Sequence, residues 1–172
     1  MMPMPPTPAP SLRRRLACLF YESFLVFGLL MVAGFAHFGI TRREFEPGQS
    51  TGADLVALLV LALYFTWCWS RGQTLAMKTW YIGVRDLRTG QAPHWRRALL
   101  RFAWSWLMFL PALAVSHGLA LEAQRRWIYV ALLINMLVYA LTSRWLPGRQ
   151  YLHDRLAGTE LVDLRQPPGV QA

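Results

Sequence analysis

Four long apolar stretches constrain this chain of 172 residues more than any other feature. Each contains a single Asp, Glu, Lys or Arg, and together they cover residues 16–40, 54–70, 98–118 and 127–146. A helix that crosses a bilayer needs about 20 mostly apolar residues. We therefore predict an all-α membrane protein with four transmembrane helices.

The amino-acid composition favours the same class. The chain is 55% hydrophobic and 16% charged, whereas soluble domains are roughly 45–50% apolar and about 25% charged. A soluble bundle of four core helices is the alternative. Such helices keep a polar face, and residues 55–60 and 131–133 offer none.

The ends of the chain differ from its middle. Residues 1–12 are rich in proline and residues 165–172 contain Pro-Pro-Gly, so we predict a disordered lead and a flexible tail around a membrane domain at 13–164. A cleaved signal peptide is an alternative for the first stretch, because three arginines precede it and Gly34-Phe35-Ala36 resembles a cleavage site. Signal cores are only about 7–15 residues long, so an uncleaved first span is favoured.

Basic residues are divided unequally between the two predicted sides of the membrane. The two ends and the loop between the second and third spans, with Arg101, carry 14 basic residues, and the other two loops carry 4. Because cytoplasmic loops carry the excess of Lys and Arg, we predict that both termini are cytoplasmic. The ratio of 17 Arg to 1 Lys is typical of a GC-rich bacterium, which suggests the bacterial inner membrane.

This basic side also indicates the expected partners. Anionic lipid at the cytoplasmic face is the first of them. Nucleic acid is not expected, since no basic region stands free of the apolar stretches. Four short spans form a thin bundle, so a homo-oligomer or another membrane protein is a further expected partner.

Two segments on the predicted cytoplasmic side have the pattern of short strands. Ile82 and Val84 alternate with Gly83 and Arg85, which is typical of a half-buried strand. Residues 150–157 predict one or two turns of interfacial helix capped by Gly158, and residues 160–164 look extended. We predict that the two strands pair antiparallel in a small cytoplasmic strand and amphipathic element.

Three separated blocks give the chain a family resemblance. Arg15-Leu16-Ala17 is followed by a carboxylate at Glu22; Gly-Gln-Thr-Leu at 72–75 leads to Lys78 and the first strand; residues 153–159 read His-Asp-Arg-Leu-Ala-Gly-Thr. Over residues 13–163 these blocks resemble the RDD family of small multipass membrane proteins, named for one arginine and two aspartates. The first acidic position is usually Asp in the family, whereas Glu22 reaches one methylene further.

The resemblance implies transport of an ion or small ligand, since cation/proton exchange has been proposed for the family. The alternative is a non-catalytic membrane scaffold or assembly subunit. Many transporters contain inverted repeats, and the two halves of this sequence show none, which weakens the case for transport. The resemblance and the positions of the charged residues together give four main functional candidates, which are Arg15, Glu22, Arg101 and Asp154. The secondary candidates are Gly72, Gln73, Thr74, Lys78, His153 and Thr159.

Glu22 is the most informative candidate, because an acidic group inside a span is costly and usually has a partner or a function. We expect Arg101 at a similar depth, and we predict that the two form an ion pair. A structural pair and the uptake of a proton or cation by Glu22 both remain open. Asp154 is expected to accept from backbone amides or to pair with one of three arginines, Arg15, Arg97 or Arg155.

Four uncharged residues carry further expectations. Pro111 should kink the third span, and Asn135 should hydrogen-bond a neighbouring helix. Cys18 and Cys68 are expected to be buried free thiols.

Motifs for catalysis and metal binding are missing from the sequence. It contains no hydrolase signature and no phosphate-binding glycine loop. His37 and His117 approach the same side, but two histidines without further ligands do not make a metal site. We expect no enzyme activity, no cofactor and no metal.

Overall fold

The computed structural model describes residues 9–41, 51–118 and 125–165. Within these residues the helices are α1 (Leu12–Thr41), α2 (Thr51–Ser70), α3 (Leu75–Thr79), α4 (Trp95–Ser105), α5 (Leu110–Gly118), α6 (Arg125–Thr142) and α7 (Leu152–Leu156). The strands are β1 (Ile82–Asp86) and β2 (Thr159–Asp163), and short 3-10 helices cover Trp106–Met108 and Pro147–Arg149.

Three helical segments of the described residues are long and apolar enough to cross a membrane. They are Leu12–Thr41, Gly52–Thr79 and Trp95–Val115, and a shorter apolar helix covers Arg126–Thr142. Large apolar side chains such as Phe24, which is 61% exposed, point outward from these helices. The chain is therefore a mostly helical protein with three candidate membrane spans, and the fourth predicted span corresponds to the shorter helix.

Two boundaries differ from the sequence-based prediction. Helix α1 begins at Leu12 instead of 16, and Pro10 just before it is buried, so residues 10–12, which were assigned to the disordered lead, belong to the folded part of the chain. Its residues 1–8 lie outside the described part of the chain, as do residues 166–172 of the predicted tail. Helix α6 ends at Thr142 and gives way to a turn at 143–145 and then to Pro147, because proline cannot continue a helix.

The third span is broken near Pro111, as predicted. Helix α4 stops at Ser105, a 3-10 turn follows, and α5 starts at Leu110. Proline fits the first turn of the new helix, where its missing N–H is not needed. The amide of Asn135 on α6 donates to the carbonyl of Met108 in the break, which confirms its predicted bond to a neighbouring helix.

The two strands pair antiparallel, with Gly83 opposite Val162 and Val84 opposite Leu161. The predicted pairing is therefore confirmed. The prediction of a half-buried first strand is wrong, since Ile82, Gly83 and Val84 are all buried. A Cβ at Gly83 would lie 3.1 Å from Cγ2 of Val162, so the cross-strand side chain covers the face that was expected to be open.

Glutamine side chains occupy both outer edges of this small sheet. Gln73 Nε2 donates to the carbonyl of Ile82 at 2.8 Å. Gln150 Nε2 donates to the carbonyl of Leu161 at 2.9 Å, and Gln150 Oε1 accepts from the Leu161 amide at 2.8 Å. A two-stranded sheet alone is marginally stable, so these amides stabilise it. We call α3, β1, α7, β2 and their turns, residues 71–94 and 143–165, the strand unit.

Arg14 ties the start of α1 to the strand unit. Its guanidinium pairs with the Asp163 carboxylate and also donates to the carbonyls of Trp80 and Tyr81. Partial burial raises the pKa of Asp163, but the Arg14 guanidinium and the Arg165 amide outweigh burial and hold that pKa below its ordinary value. The ionised carboxylate is thus the form that stabilises the fold.

This pair predicts how stability depends on pH. An aspartate whose pKa is lowered in the folded state contributes stability above its ordinary pKa of 3.8, and the contribution disappears as pH falls through the lower folded-state value. We expect Asp163→Asn to unfold at a lower temperature than wild type in detergent near neutral pH, and the gap to close below about pH 4. In an Arg14→Gln background the same change should produce little gap; an unchanged gap there would contradict the pairing.

Candidate functional site

A fully buried ion pair lies where α4, α6 and α7 meet. Arg101 Nη1 is 2.6 Å from Asp154 Oδ1, and the two side chains are 2% and 0% exposed. Helix α4 buries Ala98, Arg101 and Phe102 on one face and exposes Leu99, Leu100 and Trp104 on the other. This orientation, with arginine inside and leucine outside, suits a helix surrounded by lipid.

The predicted ion pair between Glu22 and Arg101 is wrong. Helix α7 packs against α4 and brings Asp154 to the guanidinium, whereas α1 packs against α2 and α3. Arg101 also lies over the ring of Trp69, with Cζ 4.7 Å from the ring centroid. Sequence analysis placed Arg101 and Glu22 at one depth, but depth along a helix does not determine which neighbour the side chain meets.

The arginines predicted as partners of Asp154 have other roles. Arg15 donates to the carbonyl of Arg149 at 2.7 Å and lies over the Tyr151 ring. Arg97 pairs with Asp86 at 2.6 Å. The structure gives the Arg155 side chain no hydrogen bond or ion pair among the described residues, and it is exposed. The prediction that Asp154 pairs with one of these three arginines is therefore wrong, since its partner is Arg101.

His153 extends the buried pair to α6. Its Nε2 is 3.1 Å from Asp154 Oδ1, its Nδ1 is 2.8 Å from the hydroxyl of Tyr139, and its backbone amide donates to that hydroxyl at 3.0 Å. Because the Tyr139 oxygen accepts from the amide, its proton is available for Nδ1. The imidazole therefore lies between the Tyr139 hydroxyl and the Asp154 carboxylate, with one ring nitrogen toward each.

Thr159, the first residue of β2, completes this group. Its hydroxyl accepts from Arg101 Nη1 and donates to the carbonyl of Asp154, both at 3.1 Å. We call Arg101, His153, Asp154 and Thr159 the Arg101 cluster. Burial raises the pKa of Asp154, but Arg101 and the contact with His153 outweigh burial and hold it below the usual range. The cluster therefore contains a carboxylate whose charge is paired with a guanidinium, while its two oxygens accept no hydrogen bond of good geometry from the described residues.

Glu22 lies in a second buried group, with neutral partners. Its Oε1 accepts from the Tyr64 hydroxyl at 2.6 Å, and its Oε2 accepts from the Thr74 hydroxyl. Thr74 is also the N-cap of α3 and accepts from the Met77 amide at 3.1 Å. Glu22 is 6% exposed, and among the described residues no Lys, Arg or His forms an ion pair with it. We call Glu22, Tyr64 and Thr74 the Glu22 cluster.

The remaining candidates lie outside the two clusters. Gly72 adopts a left-handed φ of 88°, which favours glycine, and its carbonyl accepts from Val84. Gly72 and Gln73 therefore serve the edge of β1. Lys78 is exposed in the last turn of α3. The free cysteines Cys18 and Cys68 are buried, as predicted.

No group of three or more His, Cys, Asp or Glu side chains in the described part of the chain could hold a metal ion. His37 is half-buried near the far end of α1. The side chain of His117 lies outside the described residues.

Sequence reasoning missed several residues that the structure brings to these groups. Tyr64 is one of three ionisable residues in the otherwise apolar stretch 54–70, and Tyr139 is likewise an ionisable residue within the stretch 127–146. The pairs Arg14–Asp163 and Arg97–Asp86 join residues far apart or in different elements, and no local spacing indicates them.

Comparison with known proteins is consistent with this architecture. The family model described as RDD family matches residues 9–158, most of the chain. The match includes Glu22, Arg101 and Asp154 and ends just before Thr159. Comparison with the curated proteins and with the solved structures gives no significant match.

The buried pair predicts non-additive effects of mutation. Arg101→Gln or Asp154→Asn alone should lower the free energy of unfolding by about 3–5 kcal/mol, because each leaves an uncompensated buried charge, and the double change should cost less than the sum. Equilibrium unfolding in detergent measures the free energies of the single and double variants. Glu22→Gln combined with Arg101→Gln is the matched control and should be additive. Coupling in the control and additivity in the test pair would contradict the observed geometry.

Proposed function

Because the chain belongs to the RDD family, we propose that it is a membrane protein that transports an ion, with Glu22 as the group that takes up and releases it. The observation that supports this proposal is the set of partners around Glu22. Two hydroxyls contact the carboxylate, and no cationic side chain among the described residues pairs with it.

A buried carboxylate without a cationic partner is costly in an apolar environment. Asp154 has such a cationic partner, because Arg101 Nη1 lies 2.6 Å from its Oδ1. Among the described residues Glu22 has no such neighbour and is held only by two hydroxyls, and in the proposed function a proton or a bound cation supplies the missing positive charge. The structural ion pair, which was the simplest explanation of Glu22, is removed by the geometry.

The surrounding atoms fit such a role. The carboxylate and the hydroxyls of Tyr64 and Thr74 supply oxygen atoms, which suit a proton or a hard cation. Hydroxyls both donate and accept hydrogen bonds, so they can stay in contact with Glu22 in either charge state. The proposed reaction is binding and release, and we expect no enzyme activity.

We further propose that the protein is multipass, with four spans, both termini in the cytoplasm and the strand unit on the cytoplasmic side of a bacterial inner membrane. Reporter fusions at Gly48, Thr89, Glu122 and the C-terminus should read outside, inside, outside and inside. The 14 to 4 division of basic residues is the reason. A C-terminus that is cleaved by external protease in cells with sealed membranes would exclude this topology.

The central prediction concerns Glu22→Gln. This variant keeps the size of the side chain and removes its ability to exchange a proton or bind a cation. We expect it to retain its thermal unfolding temperature and membrane abundance, and to lose pH-gradient-linked cation flux in reconstituted vesicles. Glu160→Gln, the same change in the strand unit, is the matched control and should keep full flux. Tyr64→Phe should reduce flux without abolishing it, because one hydroxyl remains.

The second candidate function is that of a scaffold or assembly subunit, as a homo-oligomer or with another membrane protein, and one observation favours it. Three Arg–Asp pairs join the strand unit to α1 and α4, which suits a rigid structural role. In that case wild-type vesicles show no flux above empty liposomes, Glu22→Gln lowers stability, and a partner copurifies. That combination of results would replace the transport proposal.

A further inference from the structure

A surface outside both clusters combines basic and apolar side chains at the end of α6 and along α7. Its residues are all exposed and comprise Arg144, Trp145, Arg149, Leu152, Arg155 and Leu156. We call them the α7 surface. We propose that the α7 surface is a binding site for the phosphate headgroups of anionic phospholipids, a proposal that does not depend on ion transport by Glu22.

Helix α7 is divided into two faces. His153 and Asp154 are buried and point toward Arg101 and Tyr139. Leu152 and Leu156 lie one turn apart on the opposite side, 39% and 48% exposed. A helix whose polar residues face the protein and whose leucines face outward is suited to a lipid interface and unsuited to water.

The charges on this surface have one sign. Arg144, Arg149 and Arg155 are exposed, and their side chains form no ion pair with an acidic residue among the described residues. The nearby acid, Asp154, is fully buried and is paired with Arg101. Three guanidiniums are thus available, and guanidinium binds phosphate oxygens in a bidentate manner.

The position of this surface along the chain supports a membrane location. The surface begins in the turn at 143–145 that directly follows α6, so it stays close to the end of an apolar helix. Trp145, which is 83% exposed, belongs to the residue type that concentrates at headgroup level. The tryptophan and leucines would enter the acyl boundary while the arginines reach the phosphates.

The backbone at Arg149 gives a separate argument. Gly148 and Arg149 both adopt left-handed conformations, with φ of 72° and 54°, a region that disfavours side chains. The Arg149 carbonyl accepts from the buried Arg15 guanidinium at 2.7 Å, which holds this conformation. Non-glycine residues in this region concentrate at functional and ligand-binding positions.

The test measures lipid retention by the purified full chain in neutral detergent. Native mass spectrometry with added phosphatidylglycerol or phosphatidylcholine should show preferential retention of phosphatidylglycerol by wild type. Changing Arg144, Arg149 and Arg155 together to Gln should lower the affinity for phosphatidylglycerol by about tenfold or more. Changing the exposed Arg13, Arg88 and Arg96 to Gln is the matched control, with equal loss of charge, and should change it less than about twofold.

Three further measurements distinguish specific phosphate binding from a general effect of charge or of unfolding. Changing the same three arginines to Lys should restore most of the binding, which also provides a reading if the Gln variant unfolds. Leu152→Ser with Leu156→Ser should weaken retention of phosphatidylglycerol while thermal stability stays unchanged. Equal losses in the test and control variants, equal retention of the two lipids, or full displacement by millimolar inorganic phosphate would overturn the proposal.

Discussion

The contact between Arg101 and Asp154 determines how the strand unit joins the membrane helices. Both side chains are essentially inaccessible to solvent, and each charge would be strongly unfavourable there without the other. The pair requires α4 to face its arginine inward and α7 to pack against α4. Since β2 follows α7 after a short turn, the same contact brings Thr159 to Arg101 and places β2 beside β1.

Two further pairs repeat this arrangement at the borders of the strand unit. Arg97 on α4 reaches Asp86 at the end of β1, and Arg14 on α1 reaches Asp163 at the end of β2. In each case the arginine comes from a long apolar segment and the aspartate from the strand unit. Long arginine side chains can span this border, so the basic residues that indicate orientation also hold the fold together.

The fold could be predicted from the sequence where local pattern decides it. Helices over the apolar stretches, a strand that includes Ile82 and Val84, and the break near Pro111 depend on residue type and period, and the structure contains them, with three of the four stretches as candidate membrane spans. The partners of Glu22 and Arg101 could not be predicted, because they depend on how helices pack and on where α7 turns back. Side-chain amides such as Gln150, which replaces a neighbouring strand at the edge of β2, carry no sequence pattern at all.

The difference between the two buried carboxylates connects the structure to the proposed function. Asp154 is held by an arginine within the chain, so its charge is fixed. Glu22 is held by hydroxyls, which accept either charge state. Thr74 links this carboxylate to the start of α3 through the Met77 amide. In the proposed function an ion at Oε2 of Glu22 would share that oxygen with the hydroxyl that caps α3, so Thr74 would connect ion binding to the geometry of the strand unit.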